Sequence, residues 1–339
     1  PDSPRRASIR HGSARSHRAH APPRRYGGPD RDPHHIRGRF HVSRKSFGQA
    51  RGQASTSAAD ARRDLPTDAG FGVTAPRETS TRARSTDDRD AGDAYEAHMG
   101  RWSRLIAVRF VEWLDIAPGG VWLDVGCGTG ALSAAICDAA DPVAVIGVDR
   151  SPAYVARAAD LSGADTASFA EAEADALPFV DGIFDAAVSG LVLNFLPDSV
   201  AAVREQVRVV APSGTIAAYV WDYARGMRLL RHFWDVARQV APSAAAFDEA
   251  VRFPSANPKG LERTFEAAGL SPGETTALEA EMSFGDFEEL WTPFLSGRGP
   301  APGFVNGLDD AERTALKEAL AEAVPRAADG SIHLAARAW

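Results

Sequence analysis

Residues 122–131, WLDVGCGTGA, combine an apolar run, one aspartate and glycines at alternate positions, Gly126, Gly128 and Gly130. Glycines at this spacing allow a tight turn and a close approach of the backbone to a ligand, because no Cβ stands in the way. Such a loop after a buried strand is typical of sites for nucleotide-type ligands. The spacing fits a dinucleotide pyrophosphate and S-adenosylmethionine equally well, and it does not choose between them.

The acidic residues near the loop favour the second ligand. Asp124 precedes the first glycine, where a carboxylate would repel phosphates but suits an ammonium and a sulfonium group. Asp149 ends the next apolar run, from which a carboxylate can accept both ribose hydroxyls of either ligand. Asp175 follows a third run and could accept a hydrogen bond from the adenine amine, although an ordinary loop aspartate is an equal interpretation. Together the acids predict a site for S-adenosylmethionine.

Apolar runs after residue 91 predict the strands that position these residues. Nearly continuous apolar strands that alternate with helices indicate a parallel sheet covered on both faces. We therefore expect an α/β fold with a Rossmann-like, doubly wound sheet of seven strands. The strands are expected at 121–125, 143–149, 167–174, 183–190, 214–221, about 273–283 and 331–339.

Helical patterns fill the intervals between the strands. An amphipathic helix with apolar residues four apart precedes the first strand, and a proline after Ser151 predicts a helix start there. Further helices are expected at about 131–139, 198–210 and 259–268, with a helical insertion at about 286–324.

Five stretches in order resemble the successive motifs of class I S-adenosylmethionine-dependent methyltransferases: LDVGCGTG, VIGVDRSP, EADALPF, FDAAVSGLVLNF and VRVVAPSGTIAAY. The resemblance covers residues 95–339 and is strongest to the type 11 domain of the ubiquinone and menaquinone C-methyltransferase group. It implies that Asp124 and the three glycines line the methionine half of the cofactor. Asp149, with Arg150 beside it, would hold the ribose, and Asp175 with Ala176 the adenine. Residues 95–104, YEAHMGRWSR, resemble the helical lid of these enzymes.

The resemblance implies methyl transfer to a small-molecule acceptor and leaves the methylated O, N or C atom open. Candidates to face the acceptor follow the fourth and fifth strands: Asn194, Trp221, Asp222 and Tyr223. Loop packing or capping is an equal interpretation for each of them. GLVLNF stands where amino-group base methyltransferases carry an Asn/Asp-Pro-Pro-aromatic tetrad, so base methylation of that type is disfavoured.

No catalytic base is assigned from the sequence. His98 and His232 are better interpreted as packed or solvent-facing residues, and Cys127 as a small packed residue of the glycine loop. Three alternatives stay open: an RNA or protein methyltransferase, a cofactor-binding module without catalysis, and a nicotinamide-dependent oxidoreductase.

The charge of the chain divides near residue 90. Residues 1–90 hold 19 Lys and Arg against 10 Asp and Glu, whereas residues 91–339 hold 19 against 35. The first part is rich in Arg, Pro, Ser and His without a periodic apolar pattern, so we expect a disordered basic tail. We rank three interpretations of this tail. A functionless segment is preferred, an electrostatic arm that recruits a nucleic acid comes second, and a targeting segment comes third. The acidic second part disfavours a nucleic-acid substrate.

Two cysteines, Cys127 and Cys137, are too few for a disulfide framework and badly spaced for zinc. We therefore expect a cytoplasmic protein without a metal. Apolar runs in the sequence fall short of the roughly 18 to 20 residues that a membrane-spanning helix needs, so we expect no membrane span.

Overall fold

A five-stranded parallel sheet forms the centre of the computed structural model, which describes residues 99–162, 165–271, 273–296 and 299–339. The strand order is β3-β2-β1-β4-β5. The strands are β1 (Val121–Val125), β2 (Ala144–Asp149), β3 (Ala167–Glu171), β4 (Phe184–Gly190) and β5 (Val210–Tyr219). This confirms the predicted α/β fold with a parallel sheet. The basic tail and residues 95–98 of the predicted lid lie outside the described residues.

Helices connect most of the parallel strands, as the alternating pattern predicts. Helix α2 (Ala131–Ala139) joins β1 to β2, α3 (Pro152–Ser162) joins β2 to β3, and α4 (Ser199–Val209) precedes β5. The connection from β3 to β4 is a loop, residues 172–183. A 3₁₀ helix, Leu193–Phe195, follows β4.

The remaining helices lie before β1 and after β5. They are α1 (Arg101–Leu114), α5 (Arg228–Val240), α6 (Glu249–Arg252), α7 (Pro258–Ala267), α8 (Phe287–Ser296), α9 (Pro300–Asn306) and α10 (Asp310–Ala323), with a second 3₁₀ helix at Pro242–Ala246. Within the described ranges, no helix combines the length and apolar character that crossing a membrane requires.

Two antiparallel strands, β6 (Leu278–Phe284) and β7 (Ile332–Ala338), form a second sheet. The chain just beyond β5 links the two sheets, because Val220 and Trp339 exchange both backbone hydrogen bonds at 3.0 and 2.9 Å. The Asp222 N–H also donates to the Arg337 carbonyl at 2.9 Å. The single seven-stranded sheet that we predicted is therefore divided here into five parallel and two antiparallel strands, joined by this short contact.

The core forms on both faces of the parallel sheet. Trp122 and Leu123 of β1 are fully buried, as expected of a central strand covered by helices. The apolar stripe of α1 is also buried and packs against α2 and β6; it comprises Trp102, Ile106, Phe110 and Leu114. Each such side chain contributes about 1.5 to 3 kcal/mol through burial. Because the five strands of the first sheet pair in parallel, their carboxyl ends lie along one edge of that sheet.

Candidate functional site

The glycine loop between β1 and α2 is fastened to the end of β2. The N–H groups of Gly126 and Cys127 both donate to the Val148 carbonyl, at 2.8 and 2.9 Å. Gly126, Gly128 and Gly130 have φ angles of +75°, +54° and +88°, which favour glycine because a Cβ is strained there. The loop therefore depends on glycine for its conformation.

A Cβ added at each of these glycines would meet different surroundings. At Gly126 it would lie 2.5 Å from Val192 Cγ2, and at Gly130 it would lie 3.2 Å from Ala158 Cβ. At Gly128 no described atom lies within 4 Å of that position. Gly126 and Gly130 thus serve protein packing, whereas Gly128 borders open space into which a ligand can fit.

Asp124 lies in β1, two residues before Gly126, and is fully buried. Its Oδ2 accepts a hydrogen bond from Ser133 Oγ at 2.7 Å, and its Oδ1 has no partner among the described residues. Burial raises the pKa of the Asp124 carboxyl to about 7; the hydrogen bond from Ser133 opposes this rise and the charge of Asp149 adds to it. A buried carboxylate with an open oxygen can accept a cationic ligand group.

Asp149, at the end of β2, is held in a fixed orientation by two backbone groups. Its Oδ1 accepts from the Ser151 N–H at 2.9 Å, and its Oδ2 accepts from the Gly128 N–H at 3.0 Å. Burial raises the pKa of Asp149, and these hydrogen bonds together with the exposed Arg150 oppose the rise. Each oxygen keeps a lone pair, so the carboxylate can still accept two ligand hydroxyls.

Asp175 and Ala176 lie in the loop after β3, and both are exposed. The Ala172 N–H donates to the Asp149 carbonyl at 3.0 Å, so this loop starts beside Asp149. The Ala176 N–H donates to the Glu173 carbonyl at 3.2 Å and closes a turn. The predicted nucleoside residues therefore belong to neighbouring strand ends.

Asn194 follows β4 in the 3₁₀ helix. Its amide nitrogen and oxygen are both buried and find no hydrogen-bond partner among the described residues. Val192, two residues earlier, is the residue that a Cβ at Gly126 would strike, so this segment borders the glycine loop. Unpartnered buried amide atoms are costly, about 1 to 3 kcal/mol each, and mark a place where a ligand can supply the missing hydrogen bonds.

The three candidates after β5 differ in their surroundings. Trp221 is buried in the core and forms a backbone bridge with Ala338. Asp222 caps a turn, since its Oδ1 accepts from the Arg225 N–H at 3.0 Å. Of the two interpretations offered for this residue, the contact agrees with capping. The Tyr223 ring lies 5.7 Å from the ring of Phe253.

Phe253 connects the two strand ends through an aromatic cluster that sequence reasoning missed. Its ring packs edge-on against Phe195, with centroids 4.9 Å apart, and Phe195 is 55% exposed beside Asn194. Phe195 is the last residue of the GLVLNF stretch, but Phe253 comes from a distant loop without a recognisable pattern. Phe195, Tyr223 and Phe253 form an apolar cluster, whose exposed member Phe195 directly follows Asn194 in the chain.

The other candidate groups show no sign of direct chemistry. Burial raises the pKa of the Cys127 thiol well above its usual range, so a thiolate nucleophile is disfavoured there. Burial and the charge of Arg228 lower the pKa of His232 on α5. His98 lies outside the described residues. The described residues also contain no group of three or more His, Cys, Asp or Glu side chains placed to hold a metal ion.

Known proteins are similar to this chain over the region that contains the glycine loop and the parallel strands. The family described as a methyltransferase domain matches residues 123–218. The 2-methyl-6-phytyl-1,4-hydroquinone methyltransferase of Synechocystis sp. is 34% identical over 169 residues, which cover 48% of this chain and 50% of that protein. The 2-phytyl-1,4-naphtoquinone methyltransferase of Synechococcus elongatus is 32% identical over 197 residues, which cover 54% of this chain and 82% of that protein.

The chain thus spans half the length of the first of these curated relatives and most of the second. Among solved structures, the YcgJ protein of Bacillus subtilis gives a TM-score of 0.44 at 18% sequence identity. The matched residues cover 69% of this chain and 94% of the YcgJ chain.

Proposed function

The chain belongs to the class I S-adenosylmethionine-dependent methyltransferases, and on that premise we propose that it transfers a methyl group from S-adenosylmethionine to a small-molecule acceptor. The single observation that carries the proposal is the unpartnered Oδ1 of the fully buried Asp124. A cationic partner stabilises the ionised form of a buried carboxyl group, and the methionine ammonium provides one whereas a dinucleotide pyrophosphate does not. The nicotinamide alternative is therefore disfavoured.

The residues around Asp124 fit the rest of this cofactor. Gly128 leaves space at the loop, Asp149 presents two oriented oxygens to the ribose hydroxyls, and the turn of Asp175 and Ala176 follows for the adenine. When bound, S-adenosylmethionine supplies a methyl group on a sulfonium, which is open to in-line attack. Arg150 is exposed beside Asp149 and would border the ribose.

The chain's own part in methyl transfer is to position the acceptor and to exclude water. The Asn194 amide can donate to one oxygen substituent of the acceptor and accept from a hydroxyl. The cluster of Phe195, Tyr223 and Phe253 can pack against a planar ring. Positioning and desolvation supply much of the rate of such a reaction, so activity does not require an assigned base.

We propose a planar, oxygen-substituted ring as the acceptor. The aromatic cluster and the Asn194 amide support this class, and so do the names of the hydroquinone and naphtoquinone methyltransferases that the chain resembles. The acidic composition of residues 91–339 gives an RNA substrate no comparable support.

The N-terminal lid and the setting of the enzyme remain part of the proposal. The described start of α1 contacts α8 and β6, since Arg101 donates to Glu289 at 2.7 Å and to the Ser283 carbonyl at 3.0 Å. We propose that residues 95–104 and the helices between β6 and β7 form a roof over the acceptor. We also propose that residues 91–339 form the catalytic domain and that it works in the cytoplasm.

Release of S-adenosylhomocysteine from the full chain tests the function. We expect turnover with prenylated hydroquinones or naphthoquinols, and no turnover with simple amines. Calorimetry should show binding of S-adenosylhomocysteine and not of NAD. Binding of NAD alone would refute the proposal, and mass spectrometry of an active product would identify the methylated atom.

The acceptor site can be tested by replacing Asn194 with leucine. Loss of hydrogen bonds to the acceptor should lower kcat/KM by roughly tenfold or more, which corresponds to about 1.5 kcal/mol. The affinity for S-adenosylhomocysteine should stay unchanged, because Asn194 does not belong to the cofactor site. Isothermal titration calorimetry and steady-state kinetics measure the two quantities.

Gln206→Leu is the matched control. Gln206 is another buried amide on α4, and its Nε2 donates to Ser189 Oγ at 3.0 Å. Its Oε1 has no partner among the described residues, as in Asn194, but no residue of the aromatic cluster adjoins it in the chain. Loss of the Gln206 amide should lower the melting temperature and leave kcat/KM unchanged. Equal kinetic losses in the two variants would mean that Asn194 acts only through packing.

A further inference from the structure

The loop between β3 and β4 is held by two side chains of α4. Glu205 Oε2 accepts a hydrogen bond from the Leu177 N–H at 2.9 Å. Arg208 donates through Nη2 to the Leu177 carbonyl at 2.9 Å and through Nη1 to the Phe179 carbonyl at 2.6 Å. Three backbone groups of this loop thus depend on one pair of residues, which we name the Glu205–Arg208 clamp.

The clamp is rigid because its two side chains also bind each other. Arg208 Nε donates to Glu205 Oε1 at 2.8 Å, and Nη2 donates to Oε2 at 2.7 Å, in the paired geometry that a guanidinium and a carboxylate share. Arg208 Nη1 also contacts Asp181 at 3.0 Å. The mutual hydrogen bonds lower the pKa of Glu205 and raise that of Arg208, so both stay charged.

The clamped peptide directly follows the predicted adenine residues. Leu177 comes after Asp175 and Ala176, and its side chain is buried, 4% exposed. At the other end of the same turn, the Ala172 N–H donates to the carbonyl of Asp149 at 3.0 Å. The turn is therefore fixed at one end to the ribose residue and at the other end to the clamp.

We propose that the Glu205–Arg208 clamp positions Asp175 for recognition of the adenine amine and so sets the base specificity of the cofactor site. The inference rests on the proposed function. The two residues are positioning residues, since their hydrogen bonds reach the loop backbone and not the exposed turn itself. Without the clamp, Asp175 would sample several positions, and the preference for an amine over an oxo group at the purine ring would fall.

The clamp is tested with two ligands that differ at the purine 6-position and, as a consequence, at N1, which carries a hydrogen only in the oxo compound. Calorimetry on the full chain compares S-adenosylhomocysteine with S-inosylhomocysteine, in which an oxo group replaces the amine. The unchanged chain should prefer the adenine compound by roughly tenfold or more, the ratio expected for a hydrogen bond to a charged group. Arg208→Gln should bring the two affinities within about threefold of each other, mainly by weakening the adenine compound.

Three further variants sharpen the test. Arg204→Gln removes an arginine one turn earlier on α4, whose Nη2 donates to the Ala267 carbonyl at 2.9 Å, and it should keep the full preference. Arg208→Lys keeps the charge without the paired donors and should not restore the preference. Glu205→Gln has nearly the same shape, so it gives a reading even where Arg208→Gln folds badly, and it should also narrow the ratio.

The outcomes separate the two proposals. If the unchanged chain binds neither compound, the proposed function is wrong and the clamp hypothesis falls with it. A second outcome is that the unchanged chain binds both compounds and prefers the adenine compound, while Arg208→Gln and Glu205→Gln keep that preference and only melt at a lower temperature. The clamp is then only structural, and the inference is overturned. Loss of the preference in both variants, together with its retention in Arg204→Gln, supports the inference.

Discussion

Asp124 holds a carboxyl group away from water with one oxygen unpartnered. Its pKa of about 7 lies far above the ordinary value of 3.8, so ionisation is suppressed below neutral pH in the free protein. A bound ammonium group favours the ionised form and would return the pKa toward its ordinary range. Cofactor binding and proton release are therefore coupled at this residue.

We predict that the affinity for S-adenosylhomocysteine falls as pH drops below about 7, by up to tenfold per pH unit. Because the ligand selects the ionised carboxylate, binding at pH 6 should release close to one proton from Asp124. Calorimetry in buffers of different ionisation enthalpy measures this release. Asp149 also has a raised pKa, but its expected partners are neutral hydroxyls, so it should contribute less.

Asp124→Asn is the control for this prediction. It should weaken binding and abolish the pH dependence near 7. In the free protein the ionised Asp124 destabilises the fold, a cost that grows as pH rises from about 4 to about 7 and is complete above it. The variant should therefore melt at a higher temperature than the unchanged chain at pH 8 and not at pH 4. A pH-independent affinity in the unchanged chain would contradict the assignment.

Glycines in the loop between β1 and α2 serve two different purposes. Gly126 is enclosed by Val192, whereas Gly128 borders open space. Both have positive φ, so an alanine at either site costs about 1 to 2 kcal/mol of backbone strain. Packing adds to that cost only at Gly126.

We therefore predict that two alanine variants differ in their main effect. Gly128→Ala should lower the free energy of unfolding by only about 1 to 2 kcal/mol. It should weaken S-adenosylhomocysteine binding by roughly tenfold or more, since its Cβ enters the ligand space. Gly126→Ala should lose roughly 1 to 3 kcal/mol more stability through the clash with Val192. Denaturant unfolding and calorimetry measure the pair. If Gly128→Ala binds normally, the open space is not the cofactor site.

The net charge of the chain changes sign near residue 90 and so separates two parts of the chain. The part after residue 90 carries the parallel sheet and the candidate site, and it is acidic. The basic first part has no apolar pattern that could build a core. Cofactor binding should therefore not depend on it.

Deletion of residues 1–88 should leave the melting temperature and the affinity for S-adenosylhomocysteine unchanged. Differential scanning fluorimetry and calorimetry test both. A fall of several degrees would show that this segment packs on the domain and that the boundary is wrong. Salt-sensitive RNA binding by the full chain, lost on deletion, would instead favour the electrostatic arm.

Local periodicity in the sequence is enough to predict much of this fold. The bounds of β1 and α2 agree with the predicted 121–125 and 131–139, because a short apolar run and a glycine-bounded helix are local signals. Strand ends set by pairing were less accurate. β5 spans Val210–Tyr219 where 214–221 was predicted, and β6 begins at Leu278, since its partner is β7.

Residue types at fixed spacings along the chain were enough to predict the α/β fold, the glycine loop and the family. Which polar groups are left without partners depends on the folded chain, as with Asp124 Oδ1 and the Asn194 amide. The folded chain also brings distant residues together, as Phe253 meets Tyr223 and as Arg208 holds Leu177. In the sequence Glu205 and Arg208 look like an ordinary surface pair of a helix, because the loop that they bind reaches them only after the sheet has formed.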